Sequence, residues 1–97
     1  MNTIAVRMHT YRVGPDELTE FLSRRAALVA GLRAEYPGLA QVQLIRLEDG
    51  TYRDTWRWDS FEQMAAAFPA AGSPQAAAVQ SFLTEAAALN GEIVDER

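Results

Sequence analysis

The chain opens on an alternation. From Thr3 to Val13, Ile4, Val6 and Met8 fall on one side and Ala5, Arg7, His9 and Tyr11 on the other, the period of two that predicts a β-strand. Gly14-Pro15-Asp16 breaks it and opens a helix. There Leu18, Phe21, Leu22, Arg25, Leu28, Val29, Leu32 and Tyr36 recur at helical spacing until Pro37-Gly38 closes it. Leu39 to Leu47 reads as a strand, Asp49-Gly50 as a two-residue turn, and Thr51 to Trp58 as the returning strand. Counting outward from that turn pairs Leu47 with Tyr52, Ile45 with Asp54, Gln43 with Trp56 and Gln41 with Trp58. Val42, Leu44, Arg46, Arg53, Thr55 and Arg57 then share the opposite face. A one-residue slip would invert all of these assignments.

Ser60-Phe61-Glu62-Gln63 has the form of a capping box and starts a short helix with Phe61, Met64, Ala65 and Phe68 inward. Pro69 and Gly72 interrupt it. Ser73-Pro74 restarts a helix whose stripe is Val79, Phe82, Leu83, Ala86 and Leu89, with Asn90-Gly91 as its stop. Glu92 to Glu96 reads as a last strand. The order β-α-β-β-α-β predicts a ferredoxin-like α+β fold with a four-stranded antiparallel sheet, one domain over residues 1–97. Two helices cover one face of such a sheet. The other face would leave Ile4, Val6, Met8, Val42 and Leu44 in water, so a homodimer through the sheet face is expected.

Composition narrows the chemistry. The 97 residues carry nine basic and thirteen acidic groups, a net charge of -4, which argues against nucleic acid as a partner. With no cysteine there is no disulfide, thiolate zinc site or thiol nucleophile. All nine basic residues are arginine, so Schiff-base chemistry with a lysine is excluded. No apolar run approaches the ~20 residues of a membrane span, and the N-terminus lacks a signal-peptide pattern. A soluble cytoplasmic protein is expected, and the Ala/Arg bias points to a GC-rich bacterial source. One histidine and scattered acids give no metal-ligand spacing, and no phosphate loop, Ser-His-Asp set or dinucleotide fingerprint occurs.

The element order, the helix-ending Tyr36-Pro37-Gly38 and the junction Trp58-Asp59-Ser60-Phe61 together resemble the dimeric α+β-barrel superfamily. Within it, the chain is similar to the antibiotic biosynthesis monooxygenase-like proteins over nearly its whole length. The resemblance implies two sheets closing into a shared barrel, with a cleft in each subunit between sheet and helices. Some relatives oxidise anthrone-like or polyhydroxylated aromatics with O2 and neither metal nor flavin. Others degrade haem with an Asn on the first strand, a Trp ending the third and a His on the next helix. Trp58 matches that Trp, but an ungapped count puts Arg7 at the Asn and Phe68 at the His, which argues against haem. The superfamily also holds isomerases, polyketide cyclases and members without known activity, and fold alone does not choose among them.

If the Trp58 face looks toward the helices, as the resemblance implies, one cleft gathers Arg7, His9 and Tyr11 with Gln41, Gln43, Tyr52, Asp54, Trp56 and Trp58. That surface is unusually polar for one facing helices. His9, whose ordinary pKa of ~6.5 suits proton transfer near neutrality, is the candidate base, oriented by Asp54; the plainer reading is a strand histidine satisfied by a carbonyl. Arg7 or Arg25 would hold an anion, or Arg25 would pack its stem at the stripe's edge with its head in water. Trp56 and Trp58 offer flat walls for an aromatic ligand, with Tyr11, Gln43 and Phe68 as further contacts or as core. The expected function is a cofactor-independent monooxygenase acting on an electron-rich hydroxyaromatic, the substrate itself supplying the electrons. A cyclase or isomerase of the same fold, or a dimeric binding protein without turnover, are the alternatives.

Overall fold

The computed structural model describes residues 3–97. Strand β1 (Ala5–Arg12) leads through a 3-10 turn at Pro15–Glu17 into helix α1 (Leu18–Glu35), followed by the hairpin β2 (Leu39–Arg46) and β3 (Tyr52–Trp58). Helix α2 (Phe61–Ala67), a 3-10 segment (Phe68–Gly72) and helix α3 (Pro74–Gln80) then lead to strand β4 (Thr84–Glu92). The four strands form one antiparallel sheet in the order β2-β3-β1-β4. This is the expected ferredoxin-like α+β fold.

Local chemistry accounts for the breaks. Ser60 caps α2, its Oγ accepting from the Gln63 amide at 3.2 Å and donating to Gln63 Oε1 at 3.1 Å, and Ser73 caps α3 the same way through the Ala76 amide. Gly38 is buried where a Cβ would lie 2.7 Å from the Gln63 side chain, so the β2 entrance and the α2 cap can touch only because that position is bare.

Three expectations need correction. The hairpin register is shifted by one residue: Arg46 pairs with Tyr52, Leu44 with Asp54 and Val42 with Trp56. The loop holds three residues rather than two. The Leu47 amide donates to the Thr51 carbonyl at 2.8 Å, and Gly50 takes a φ of +86°, the left-handed position that such loops reserve for glycine. Val42 and Leu44 therefore pack under the helices, and Gln41 and Gln43 lie on the outer face. A further irregularity between Leu39 and Gln41 returns Leu39 to the pairing with Trp58. Arg46, expected on the outer face, lies instead over the Tyr52 ring at 5.5 Å.

The second correction is β4. Residues 84–90, read as the end of a helix, form a strand along β1, with Met8 opposite Leu89 and Arg7 opposite Asn90. The alanines favour helix by propensity, but the open edge of β1 offers a full ladder of backbone hydrogen bonds, and tertiary pairing overrides a weak local preference. The third correction is to the helix faces: along α1, Phe21 is buried and Leu22 exposed; in α2, Met64 and Ala67 are buried while Phe61, expected inward, is exposed.

The core sits between sheet and helices in two clusters. Ala5, Leu39, Trp58, Met64 and Ala67 form one; Tyr11, Val13, Phe21, Tyr52 and Val79 form the other. The β1–β3 register explains the division. Ala5 faces Trp58 at one end and Tyr11 faces Tyr52 at the other, while Arg7 opposite Trp56 and His9 opposite Asp54 fall between. The polar residues of the inner face thus occupy the gap in an otherwise apolar layer.

Candidate functional site

That gap is a cleft of about 490 Å³, within the ~300–1,000 Å³ usual for small-molecule sites. Arg7, His9, Trp56 and Trp58 belong to its sheet side, Leu28 and Leu32 of α1 close one flank, and Ala67, Phe68, Ala70, Ala71 and Ala76 of the α2–α3 segment roof it. Alanine in the roof leaves the space that larger side chains would fill. Gln80 ties the roof together by donating from Nε2 to the Ala71 carbonyl at 3.2 Å.

At the inner end Asp54, only 5% exposed, is fully engaged. Arg25 donates to it twice, from Nε to Oδ2 at 3.0 Å and from Nη2 to Oδ1 at 2.7 Å. Tyr11 donates its hydroxyl to Oδ2 at 2.6 Å. The pairing is bidentate and charge-assisted, the strong form of such contacts. Burial, and then the neighbouring Asp54 carboxylate, push the Tyr11 hydroxyl well above its ordinary range. Burial works against the Arg25 charge, but the hydrogen bonds and charge of Asp54 outweigh it and raise its pKa. Arg25 is therefore not an edge residue with its head in water, and it is not among the residues lining the cleft. It braces α1 to β3 through its Nε and Nη2 donors on Asp54.

His9 stands opposite Asp54 across the β1–β3 ladder, half-buried in the cleft wall. Burial first, and the Arg7 charge second, lower its pKa from the ordinary 6.5, with the Asp54 charge partly opposing them. The imidazole is accordingly held neutral near pH 7, with a ring nitrogen able to accept a proton. Among the described residues no hydrogen bond joins His9 to Asp54.

Arg7 lies two residues along the same face. Its Nη1 donates to Asn90 Oδ1 of β4 at 2.8 Å, and its guanidinium lies over the Phe68 ring at 5.4 Å, within cation–π range. Among the described residues it makes no ion pair. Trp56 presents its ring to the cleft, and its indole Nε1 is buried with no acceptor among the described residues. Trp58 is buried at the end of β3, with Tyr36 packed edge-on at 6.4 Å.

Of the residues singled out from sequence, the structure brings Arg7, His9, Tyr11, Asp54, Trp56, Trp58 and Phe68 together around one cleft. Arg25 lies behind it, through Asp54. Gln43 does not reach it, because the three-residue loop turns that side chain to the outer face. Asn90 was missed: the Asn-Gly pair reads as a helix stop, and only the pairing of β4 with β1 sets its amide beside Arg7. Among the described residues no group of three or more acidic or histidine side chains could hold a metal ion, and no helix is long and apolar enough to cross a membrane.

No protein-family model matches this chain, and neither does any curated protein sequence. Solved structures do. A putative antibiotic biosynthesis monooxygenase from Caulobacter crescentus is 20% identical, with a TM-score of 0.76 over 97% of this chain and 92% of that one. SnoaB from Streptomyces nogalater, a cofactor-independent oxygenase, is 22% identical, with a TM-score of 0.71 over 97% and 94%. A dimeric ferredoxin-like protein from an uncultured marine organism is 16% identical, with a TM-score of 0.70 over 100% and 92%. The chain shares its fold, over nearly its full length, with antibiotic biosynthesis monooxygenase-like structures.

Proposed function

We propose that this chain is a cofactor-independent oxygenase of electron-rich hydroxyaromatic small molecules, anthrone-type compounds among them. One observation carries the reading. A histidine kept neutral by burial and a guanidinium without a carboxylate partner face the same aromatic-walled cleft. SnoaB, with the same fold, supports it by analogy.

In this mechanism Trp56 and Trp58 flank the ring system, and His9 removes a proton from an acidic C–H or O–H of the substrate. Arg7 stabilises the resulting enolate or phenolate, a preorganised charge placed where negative charge develops. The anion passes one electron to O2, and the radical and superoxide combine to form a carbon–oxygen bond. The peroxide takes a proton from His9 and then loses water, leaving a carbonyl where a CH2 stood. Both atoms of O2 are accounted for, one in the product and one in water, and the substrate supplies all the electrons. The apolar roof limits access of bulk water to the anion.

The working unit in this reading is a homodimer joined through the outer sheet face. There Val6, Met8, Ile45 and Leu89 form an uncovered apolar surface, Leu89 being 70% exposed. The dimeric ferredoxin-like protein of the same fold supports that arrangement.

The test is oxygen uptake by chelator-treated protein with anthrone and with 1-naphthol derivatives, alongside His9→Ala. Protein-dependent uptake that survives the chelator and falls at least about a hundredfold in the variant is expected, the usual worth of a general base. Binding without uptake would overturn the oxygenase in favour of a cyclase, an isomerase or a non-catalytic binder.

A further inference from the structure

We propose that Asn90 is a positioning residue that holds the Arg7 guanidinium in the cleft without neutralising it, making the site selective for ligands bearing a delocalised oxyanion over their neutral isosteres. The ligand class is a phenolate, enolate or aromatic carboxylate. This rests on reading the cleft as a hydroxyaromatic site with Arg7 as its anion contact.

Five of the nine arginines are spent on acids. Arg12 pairs with Glu85, Arg24 with Glu20, Arg25 with Asp54, Arg57 with Glu96 and Arg97 with Asp95. Among the described residues Arg7, Arg33, Arg46 and Arg53 make no ion pair, and of these four Arg7 alone lines the cleft. Its cross-strand neighbour is an amide, which accepts one N–H at 2.8 Å and contributes no charge. A guanidinium has donors only, so the amide oxygen must face it, and the amide's own N–H groups stay available for another acceptor. On its other side the Phe68 ring lies against the guanidinium at 5.4 Å. The cation is fixed in place by two neutral partners.

This combination matters because of what each alternative at position 90 would do. An aspartate would hold Arg7 at least as firmly but would satisfy its charge, leaving little attraction for a ligand anion. An alanine would leave the charge intact but free the long side chain to swing toward solvent, at an entropic cost to any ligand that must recapture it. Only a neutral acceptor gives both order and unspent charge. Residue 90 lies on the exposed strand β4, so the substitutions that test this fall where few packing contacts are lost.

The experiment is calorimetric titration at neutral pH of the intact protein and of Asn90→Asp, Asn90→Ala and Arg7→Ala with 3-hydroxy-2-naphthoate and its neutral methyl ester. The wild-type protein is expected to bind the acid about tenfold more tightly than the ester, the scale of one charge-assisted contact. Asn90→Asp should bring that ratio close to one, and Asn90→Ala should weaken the acid severalfold, with the ester unchanged in both. A purely structural role would shift both ligands together. If both Asn90 variants keep the wild-type ratio while Arg7→Ala abolishes it, the role of Asn90 is overturned and Arg7 stands. If the wild-type protein shows no preference, or Arg7→Ala leaves it intact, Arg7 is not the anion contact and the inference falls with that reading.

Discussion

Asp54 decides what its neighbours are free to do. Because Arg25 and Tyr11 occupy its oxygens, it acts on His9 only through its charge, and the cleft holds that imidazole beside the Arg7 guanidinium. Removing either member of a buried ion pair strands the other, a loss of about 3–5 kcal/mol. Asp54→Ala is therefore expected to destabilise the protein by about that much in urea unfolding, while loss of an exposed pair such as Arg24–Glu20, through Glu20→Ala, should change it by less than about 1 kcal/mol. His9 gives a pH signature. Its pKa in the folded protein lies below 6.5, so the unfolded chain takes up the proton first. Its contribution to stability is whole above pH 6.5 and is lost as pH falls from there to the folded value. An NMR titration of the imidazole should give a value below 6.5, moving upward in Arg7→Ala as the adjacent charge is removed. An unmoved value would show that Arg7 does not act on the ring.

Among the elements, β1 was legible from its alternation because one side chain in two points each way along a strand, and that alternation placed Ala5, Arg7, His9 and Tyr11 on one face. The hairpin was legible in kind but not in register. Glu48-Asp49-Gly50 holds the same Asp-Gly signal whether two residues or three form the loop, and one residue decides which face Gln43 and Leu44 take. Gly50→Ala would force a side chain into the left-handed region and should cost roughly 1–2 kcal/mol. A variant as stable as the parent would contradict the three-residue loop. Strand β4 was not legible, because Thr84 to Gly91 carries alanine where helix propensity dominates and its partner β1 lies far away in sequence. The site suffered in the same place: the residues on β1 and β3 could be found, whereas Asn90 could not. Backbone carbon chemical shifts across residues 84–92 are expected to be extended, and helical shifts there would contradict the fold of that segment.

At the scale of the whole molecule, the helices cover one side of the sheet and leave the other bare. Leu89, Ile45, Met8 and Val6 are then the surface through which two copies are proposed to meet. Leu89→Glu is expected to shift sedimentation from dimer to monomer while leaving far-ultraviolet circular dichroism unchanged, and a wild-type monomer would contradict the interface. The inner side divides its core into two apolar clusters with a polar gap, and that gap is the cleft in which the proposed reaction takes place. The claim that His9 is the base in this gap is tested most directly by the pH dependence of anthrone-driven oxygen uptake in the wild-type protein and His9→Ala. Uptake should rise through a single ionisation below pH 6.5 and level off above it, and the step should vanish with the histidine. A variant that keeps both the rate and the profile of the parent would contradict the account.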